Sequence, residues 1–84
     1  MEANFDVNYM ELEKIKELVA GLMALDIGEI RGDTNFFTDL GMDSLDLLQL
    51  IVEIEACFGV VIGENHIPSI KTAGDAAKLV AGLY

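Results

Sequence analysis

Three separate segments of this chain carry apolar residues at three- and four-residue steps, and this spacing constrains the fold more than any other feature. Such steps place the apolar side chains on one face of a helix. The short apolar run 60–62 has the composition of a strand, but the chain offers no second strand to pair with it. The sequence therefore predicts an all-α fold, with three amphipathic helices and one short helix.

The first helix is predicted to extend from about Tyr9 to Leu25. Asn8 and Glu11 have the spacing of a capping box, in which each side chain accepts a hydrogen bond from a free backbone N–H. Gly28 lies just past the expected end of this helix. The predicted buried stripe consists of Leu12, Ile15, Val19 and Leu22.

The second helix is predicted to begin at Ser44, a favourable N-cap, and to end at Phe58, before the helix stop Gly59. The last helix is predicted to start at Thr72, where Asp75 completes a spacing like that of a capping box. The expected buried positions are Leu47, Ile51, Ile54 and Phe58 in the second helix, and Ala76, Leu79, Val80 and Leu83 in the last.

A long connection, from about residue 26 to residue 43, separates the first two helices. Long loops in small domains commonly carry function. Apolar residues interrupt its polar composition, and we expect them to anchor it to the helices: Ile27, Ile30, Phe36, Phe37 and Leu40. A shorter connector, 60–62, is predicted to be extended, and residues 64–67 are predicted to form a short helical turn before Pro68.

The net charge of −10 excludes several classes of partner. Residues 32–70 carry seven acids and neither lysine nor arginine, so nucleic acid, which is bound by neutralising phosphates, is a poor partner. Basic protein surfaces are the expected partners. One cysteine and one histidine cannot form a disulfide framework or a usual zinc site, so we expect no metal.

The length of 84 residues predicts one domain spanning residues 1–84, and we expect it to be a monomer. No apolar run approaches the roughly 18 residues that span a bilayer, so no membrane insertion is expected. The acidic start of the chain is unlike a secretory signal. These features together predict a location in the reducing cytoplasm.

The segment 39–46 is the most informative for function. Gly41 permits a turn that most residues resist, and Ser44 follows at a helix start, close to backbone N–H groups that lack helical partners. Such a position suits an anion such as a phosphate ester. The alternative is that Ser44 serves only as an N-cap, and position alone favours that interpretation.

The outer face of the second helix is the predicted site of partner binding. Leu45 and Val52 fall nearly opposite the buried stripe, and acids flank them. An acidic rim around apolar contacts favours transient docking onto basic patches. We expect charge reversal at Asp46 to slow such docking far more than it disturbs folding. The candidate docking residues are Asp43, Leu45, Asp46, Val52 and Glu53.

These motifs together resemble the acyl carrier protein family over nearly the whole chain. The residues that carry the resemblance are Phe36, Asp39-Leu40-Gly41, Asp43-Ser44-Leu45-Asp46, Phe58-Gly59 and Thr72-Ala73-Gly74-Asp75. The resemblance implies a small four-helix bundle of the acyl-carrier type, with a long first loop and a short third helix. It also implies that Ser44 carries a 4′-phosphopantetheine arm through a phosphodiester, and that the thiol of this arm holds an acyl group as a thioester.

The family resemblance further implies a shuttle without catalytic residues. A separate phosphopantetheinyl transferase installs the arm from coenzyme A, and the other partners are acyl-transfer and synthase enzymes with basic docking patches. The acyl chain is expected to fold back between the helices. The residues implied for this contact are Leu48, Ile54, Ile62, Ile67 and Ile70.

The sequence departs from the fatty-acid-synthesis members at several positions. Gln49 stands where they usually have a glutamate, Gly63 replaces a frequent proline, and Pro68 falls within the third helix. Fatty acid, specialised lipid and polyketide synthesis therefore all remain open. So do an aminoacyl or D-alanyl carrier and an unmodified acidic helical binding module.

The remaining candidates are interpreted as structural. Cys57 flanks the apolar stripe and is predicted to be a small core side chain rather than a reactive thiol. His66 is predicted to be a loop or partly buried residue, because no second ligand lies nearby in sequence. Met10, Met23 and Met42 are expected to fill gaps, and Met42, close to Ser44, is also a candidate for partner contact.

Overall fold

A computed structural model describes residues 9–83 of the chain. Three α-helices and two 3₁₀ helices make up its regular structure, and an isolated bridge between Asn35 and Thr72 is the β-type pairing found in this part of the chain. The elements in chain order are α1 (Tyr9–Met23), the first 3₁₀ helix (Ile27–Glu29), α2 (Ser44–Phe58), the second 3₁₀ helix (Glu64–Ser69) and α3 (Ala73–Gly82). With the second 3₁₀ helix as the short third element, this arrangement confirms the predicted all-α four-helix fold.

The first helix ends earlier than the sequence predicts. Ala24, at φ 57°, adopts the left-handed conformation after Met23, and the N–H of Leu25 donates to the carbonyl of Ala20 at 2.9 Å. This bond closes the helix in a Schellman-type end. Gly28, the expected stop, lies instead in the first 3₁₀ helix. The predicted partner of Glu11, Asn8, lies outside the described residues.

The last helix begins as predicted. The Thr72 hydroxyl accepts a hydrogen bond from the N–H of Asp75 at 3.0 Å, and the Asp75 carboxylate accepts from the N–H of Thr72 at 3.1 Å. This reciprocal pair is the capping box expected from the sequence. Of the expected face, Ala76 and Val80 are buried, whereas Leu83 lies beyond the helix end and is 38% exposed.

The core lies where α1 packs against both α3 and α2. Leu50 of α2, which the predicted stripe omits, is fully buried. Ile30 and Phe36 anchor the first loop as predicted, but Ile27 is 42% exposed and does not, because it starts the first 3₁₀ helix on the surface. The fully buried large side chains are Phe36, Ile15, Ile30, Leu50, Ile54, Ile70, Val19 and Val80.

Backbone hydrogen bonds fasten the first loop to the start of α3. The N–H of Phe36 donates to the carbonyl of Lys71 at 2.8 Å, and the N–H of Gly74 donates to the carbonyl of Gly32 at 2.9 Å. The carbonyl of Phe36 in turn accepts from the N–H of Met42 at 2.9 Å. The segment that leads into α2 is therefore positioned by contacts with the start of α3, more than 30 residues away along the chain.

The close approach of the first loop to α3 predicts opposite outcomes for two glycine substitutions. Gly21 lies in α1 with open space around it, so Gly21→Ala should raise the free energy of unfolding by about 1 kcal/mol through helix propensity. A Cβ on Gly74 would lie 3.0 Å from the Gly32 carbonyl oxygen, so Gly74→Ala should lack this gain and lower stability. Urea unfolding followed by circular dichroism measures the free energy of unfolding of both variants. Equal increases in the two would contradict the close contact between Gly74 and Gly32.

Candidate functional site

The N-terminus of α2 is capped by Asp43 rather than by Ser44. The Asp43 carboxylate accepts from the N–H of Asp46 at 2.9 Å, and the Asp46 carboxylate accepts from the N–H of Asp43 at 3.1 Å. The prediction that Ser44 is the N-cap was therefore wrong, although the helix begins at Ser44 as expected. Aspartate caps a helix as well as serine does, and Asp43 stands one residue earlier, where the backbone is still extended.

Ser44 is thus an exposed residue in the first turn of a 15-residue helix, and the cap does not consume its hydroxyl. The N–H groups of this turn have no helical acceptor, and the positive end of the helix dipole lies beside them. An ester-linked phosphate at the Ser44 Oγ would stay in solvent and close to these donors. The position therefore fits a phosphodiester-linked group.

The turn before Ser44 is anchored in the hydrophobic core. Gly41 has a φ of 73°, a left-handed conformation that side chains other than glycine adopt with strain. Met42 is 4% exposed and belongs to the core, which confirms that it fills a gap and removes it from any partner contact. The buried side chain of Met42, together with the hydrogen bond from the Met42 N–H to the Phe36 carbonyl, therefore holds Ser44 at the surface.

The outer face of α2 is apolar, as predicted. Leu45 is 73% exposed and Val52 is 57% exposed, and Leu48, which the family resemblance implies as an acyl contact, is 50% exposed. The two acids on this face, Asp46 and Glu53, are half-buried. This surface therefore combines large apolar side chains with few charges.

Comparison with known proteins adds to this geometry. Residues 13–80 match the model of a family described as phosphopantetheine attachment site. An acyl carrier protein of Prochlorococcus marinus (strain MIT 9515) is 36% identical over 69 residues, which cover 82% of this chain and 86% of that protein. The chain belongs to the acyl carrier protein family. The acyl carrier protein of Enterococcus faecalis, from a study of its high thermal stability, shares the fold with a TM-score of 0.77 at 20% identity, over 94% of this chain and all of that one.

Family membership determines the biochemical role in outline. The protein is a carrier rather than an enzyme, and it bears a covalently bound 4′-phosphopantetheine prosthetic group. This group supplies a terminal thiol that holds the cargo as a thioester. Acyl carrier proteins interact with synthases and transferases, so enzymes of these classes are the partners of this carrier.

Two side chains on the outer face of α2 have local tasks that the sequence did not reveal. The Asp46 carboxylate serves the cap of α2, and the Gln49 amide donates to the Glu53 carboxylate at 3.1 Å. Charge reversal at Asp46 would therefore also break a capping box, and the expectation that it slows docking far more than it disturbs folding stays a prediction. Of the two acids, Glu53 is the one whose charge serves no helix cap.

Several residues of the carrier lie elsewhere than the sequence predicted. Cys57 is exposed, because it stands one residue before the end of α2, at the margin of the core. Met10 is 75% exposed and fills no gap, since it lies in the first turn of α1. His66 is an exposed residue of the second 3₁₀ helix, whereas Met23 is half-buried and packs against the core, as expected.

Two further features concern binding. Within residues 9–83, no group of three or more His, Cys, Asp or Glu side chains is arranged to hold a metal ion. In the same range, no helix has both the length and the apolar character needed to cross a bilayer.

Proposed function

We propose that Ser44 is the residue that bears the 4′-phosphopantetheine arm. The observation that carries this proposal is the cap of α2: because Asp43 accepts the N–H of Asp46, the exposed Ser44 hydroxyl is free to react. Ser69, the other serine of the chain, donates its hydroxyl to the carbonyl of His66 at 2.7 Å. Ser69 also lies in a short 3₁₀ helix, which offers a weaker dipole.

Loading requires Ser44 to act as a nucleophile toward coenzyme A on a phosphopantetheinyl transferase. The Ser44 Oγ forms the new bond to phosphorus, its proton passes to a base of the transferase, and the nucleotide part of coenzyme A leaves. Peptide mapping by mass spectrometry after incubation with transferase and coenzyme A tests the site. An added group on the peptide that contains Ser44 supports the proposal, and an unmodified chain would favour the binding-module alternative.

We propose the outer face of α2 as the docking surface for these enzymes, with Leu45 and Val52 as the apolar contacts and Asp43, Asp46 and Glu53 as the acids. Burial of exposed apolar side chains at the centre with charges at the rim is typical of protein interfaces. Partners with basic patches fit the net charge of −10.

Glu53→Lys should slow loading by the transferase roughly tenfold at low ionic strength, because a charge at the rim mainly affects the association rate. The matched control is Glu17→Lys on α1, which makes the same change in net charge and breaks only an exposed pair with Lys14 at 3.3 Å. Loading rates measured at low and high salt check this prediction. Equal rates for the two variants would contradict a docking role for this face.

The cargo is proposed to be an acyl chain of fatty acid, specialised lipid or polyketide synthesis, rather than an amino acid. Apolar side chains of α2 and of the connection from α2 to α3 support this choice, because transfer of an alkyl chain out of water is favourable. Ile54, Ile62 and Ile70 are buried there, and Ile67 packs against the same core. We propose that the acyl chain folds back among these side chains.

The domain organisation is proposed on similar grounds. The family match over residues 13–80 and the one hydrophobic core formed by residues 9–83 support one carrier domain over residues 1–84. A monomeric state and a location in the cytoplasm stay predictions from the sequence.

A further inference from the structure

Residues 60–71 join α2 to α3, and we call this segment the strap. At its first end, one residue of α2 accepts three backbone N–H groups. The Glu55 carboxylate accepts from Ile62 at 2.8 Å, and the Glu55 carbonyl accepts from Gly59 at 2.9 Å and from Val60 at 3.3 Å. Gly59 makes this return possible with its left-handed φ of 68°. The strap is therefore tied to the helix it has just left.

The far end of the strap is tied to α3 and to the first loop. The Asp75 carboxylate accepts from the N–H of Lys71 at 3.0 Å, and the Lys71 carbonyl accepts from the N–H of Phe36 at 2.8 Å. Each end is thus held by a carboxylate of the adjoining helix.

Between these ends the strap is held weakly. Its hydrogen bonds run within itself, from the N–H of His66 to Gly63 and from the N–H of Ile70 to Ile67, both at 3.0 Å. None of the six residues of the second 3₁₀ helix is buried. The strap's side-chain contacts with the core come from Val60 and Ile67, both half-buried, and from the buried residues that flank the helix, Ile62 and Ile70.

Glu55 stands where a glutamate is unfavourable for the helix itself. It lies in the last turn of α2, close to the negative end of the helix dipole. The bond to Ile62 is what this carboxylate contributes, because a backbone N–H next to a buried side chain otherwise has to find water. Loss of this bond would leave the first end of the strap held only by backbone bonds to the Glu55 carbonyl, which stop at Val60 and do not reach Ile62.

We propose that Glu55 is a positioning residue that controls access of the cargo to the apolar interior, by fixing Ile62 and with it the first end of the strap. This inference rests on the proposed folding back of the acyl chain among Ile54, Ile62 and Ile70. The bond from the Ile62 N–H to the Glu55 carboxylate, which we call the tether, determines how often the strap moves away from the core. It therefore determines how often the thioester is exposed to water and to partner enzymes.

The tether itself is tested in the unloaded full chain by amide hydrogen exchange followed by NMR. In Glu55→Ala the Ile62 N–H should exchange about tenfold faster than in the wild type, because its charged acceptor is lost. Glu55→Gln keeps an oxygen acceptor and should restore most of the protection. Glu53→Ala is the matched control, since the Glu53 carboxylate accepts from the Gln49 side chain and has no bond to the strap, and it should leave Ile62 unchanged.

The access role is tested by thioester cleavage with hydroxylamine, in carriers loaded with an octanoyl or an acetyl group. In Glu55→Ala the octanoyl thioester should be cleaved several-fold faster, at least about threefold, while the acetyl thioester, too short to reach the core, should keep its wild-type rate. A general loss of structure would accelerate both. Circular dichroism confirms that each variant retains its helices.

Three results would overturn the inference: unchanged exchange of Ile62 in Glu55→Ala, equal acceleration in Glu53→Ala, or equal acceleration of both thioesters. Failure of the proposed function has a different signature. Attachment of the arm at a residue other than Ser44 would contradict the proposed attachment site. It would not affect the hydrogen-exchange test of the Glu55 tether. Equal cleavage of octanoyl and acetyl groups in the wild type contradicts cargo sheltering, and the access role with it.

Discussion

Ser44→Ala is expected to abolish attachment of the 4′-phosphopantetheine arm completely, while the helices remain. The variant lacks the hydroxyl oxygen that forms the phosphodiester, and no other side chain can supply it at the same place. Asp43 caps α2, so loss of the Ser44 hydroxyl should leave the helix start intact. Intact mass after incubation with transferase and coenzyme A measures loading, and circular dichroism measures the helical content.

Ser69→Ala is the matched control for this experiment, because Ser69 is the only other serine in the chain. Its hydroxyl bonds to the carbonyl of His66, within the second 3₁₀ helix. Loading of this variant should equal that of the wild type. A mass gain that persists in Ser44→Ala, or one that is lost in Ser69→Ala, would show that the attachment site lies elsewhere.

Phe36→Ala is expected to have the largest effect on stability. The Phe36 ring is fully buried, and its removal leaves a cavity in a core shared by the first loop and the helices. Substitutions of this kind lower the free energy of unfolding by about 3–5 kcal/mol. For a domain of this size the melting temperature should fall by roughly 15 °C or more. Thermal unfolding followed by circular dichroism measures the change.

The neighbouring Phe37 supplies the comparison. It has the same side chain, lies in the same loop and is only half-buried. Phe37→Ala should therefore lower the free energy of unfolding clearly less than Phe36→Ala does. Because the Phe36 backbone joins Met42 to Lys71, the loop before Ser44 should loosen first in Phe36→Ala. Equal losses in the two variants would contradict the anchoring role of Phe36.

Local sequence signals were sufficient for most of the helical structure. The bounds of α2, the Thr72 cap of α3 and the stop at Gly59 all follow from interactions between residues close together in the chain. The exposure of Leu45 and Val52 also follows, because helical periodicity places them opposite the buried stripe.

Signals of the same local kind failed where two residues compete for one position. Asp43 and Ser44 are both good N-caps, and only the backbone conformation decides between them. The end of α1 was likewise misplaced, because Ala24 rather than a glycine takes the left-handed conformation there. Propensity is a weak guide when neighbouring residues satisfy the same requirement.

The sequence by itself determined the helices, the charge and the serine that follows a Gly-Met-Asp turn, since each depends on neighbouring residues. Only the tertiary structure decided how these parts are joined. The bond from the Phe36 N–H to the Lys71 carbonyl and the bond from the Ile62 N–H to the Glu55 carboxylate both use a backbone N–H, which carries no signature in the sequence. The exposure of Cys57 depends on where the core ends along α2. Such contacts arise from packing between distant segments, and local periodicity contains no information about them.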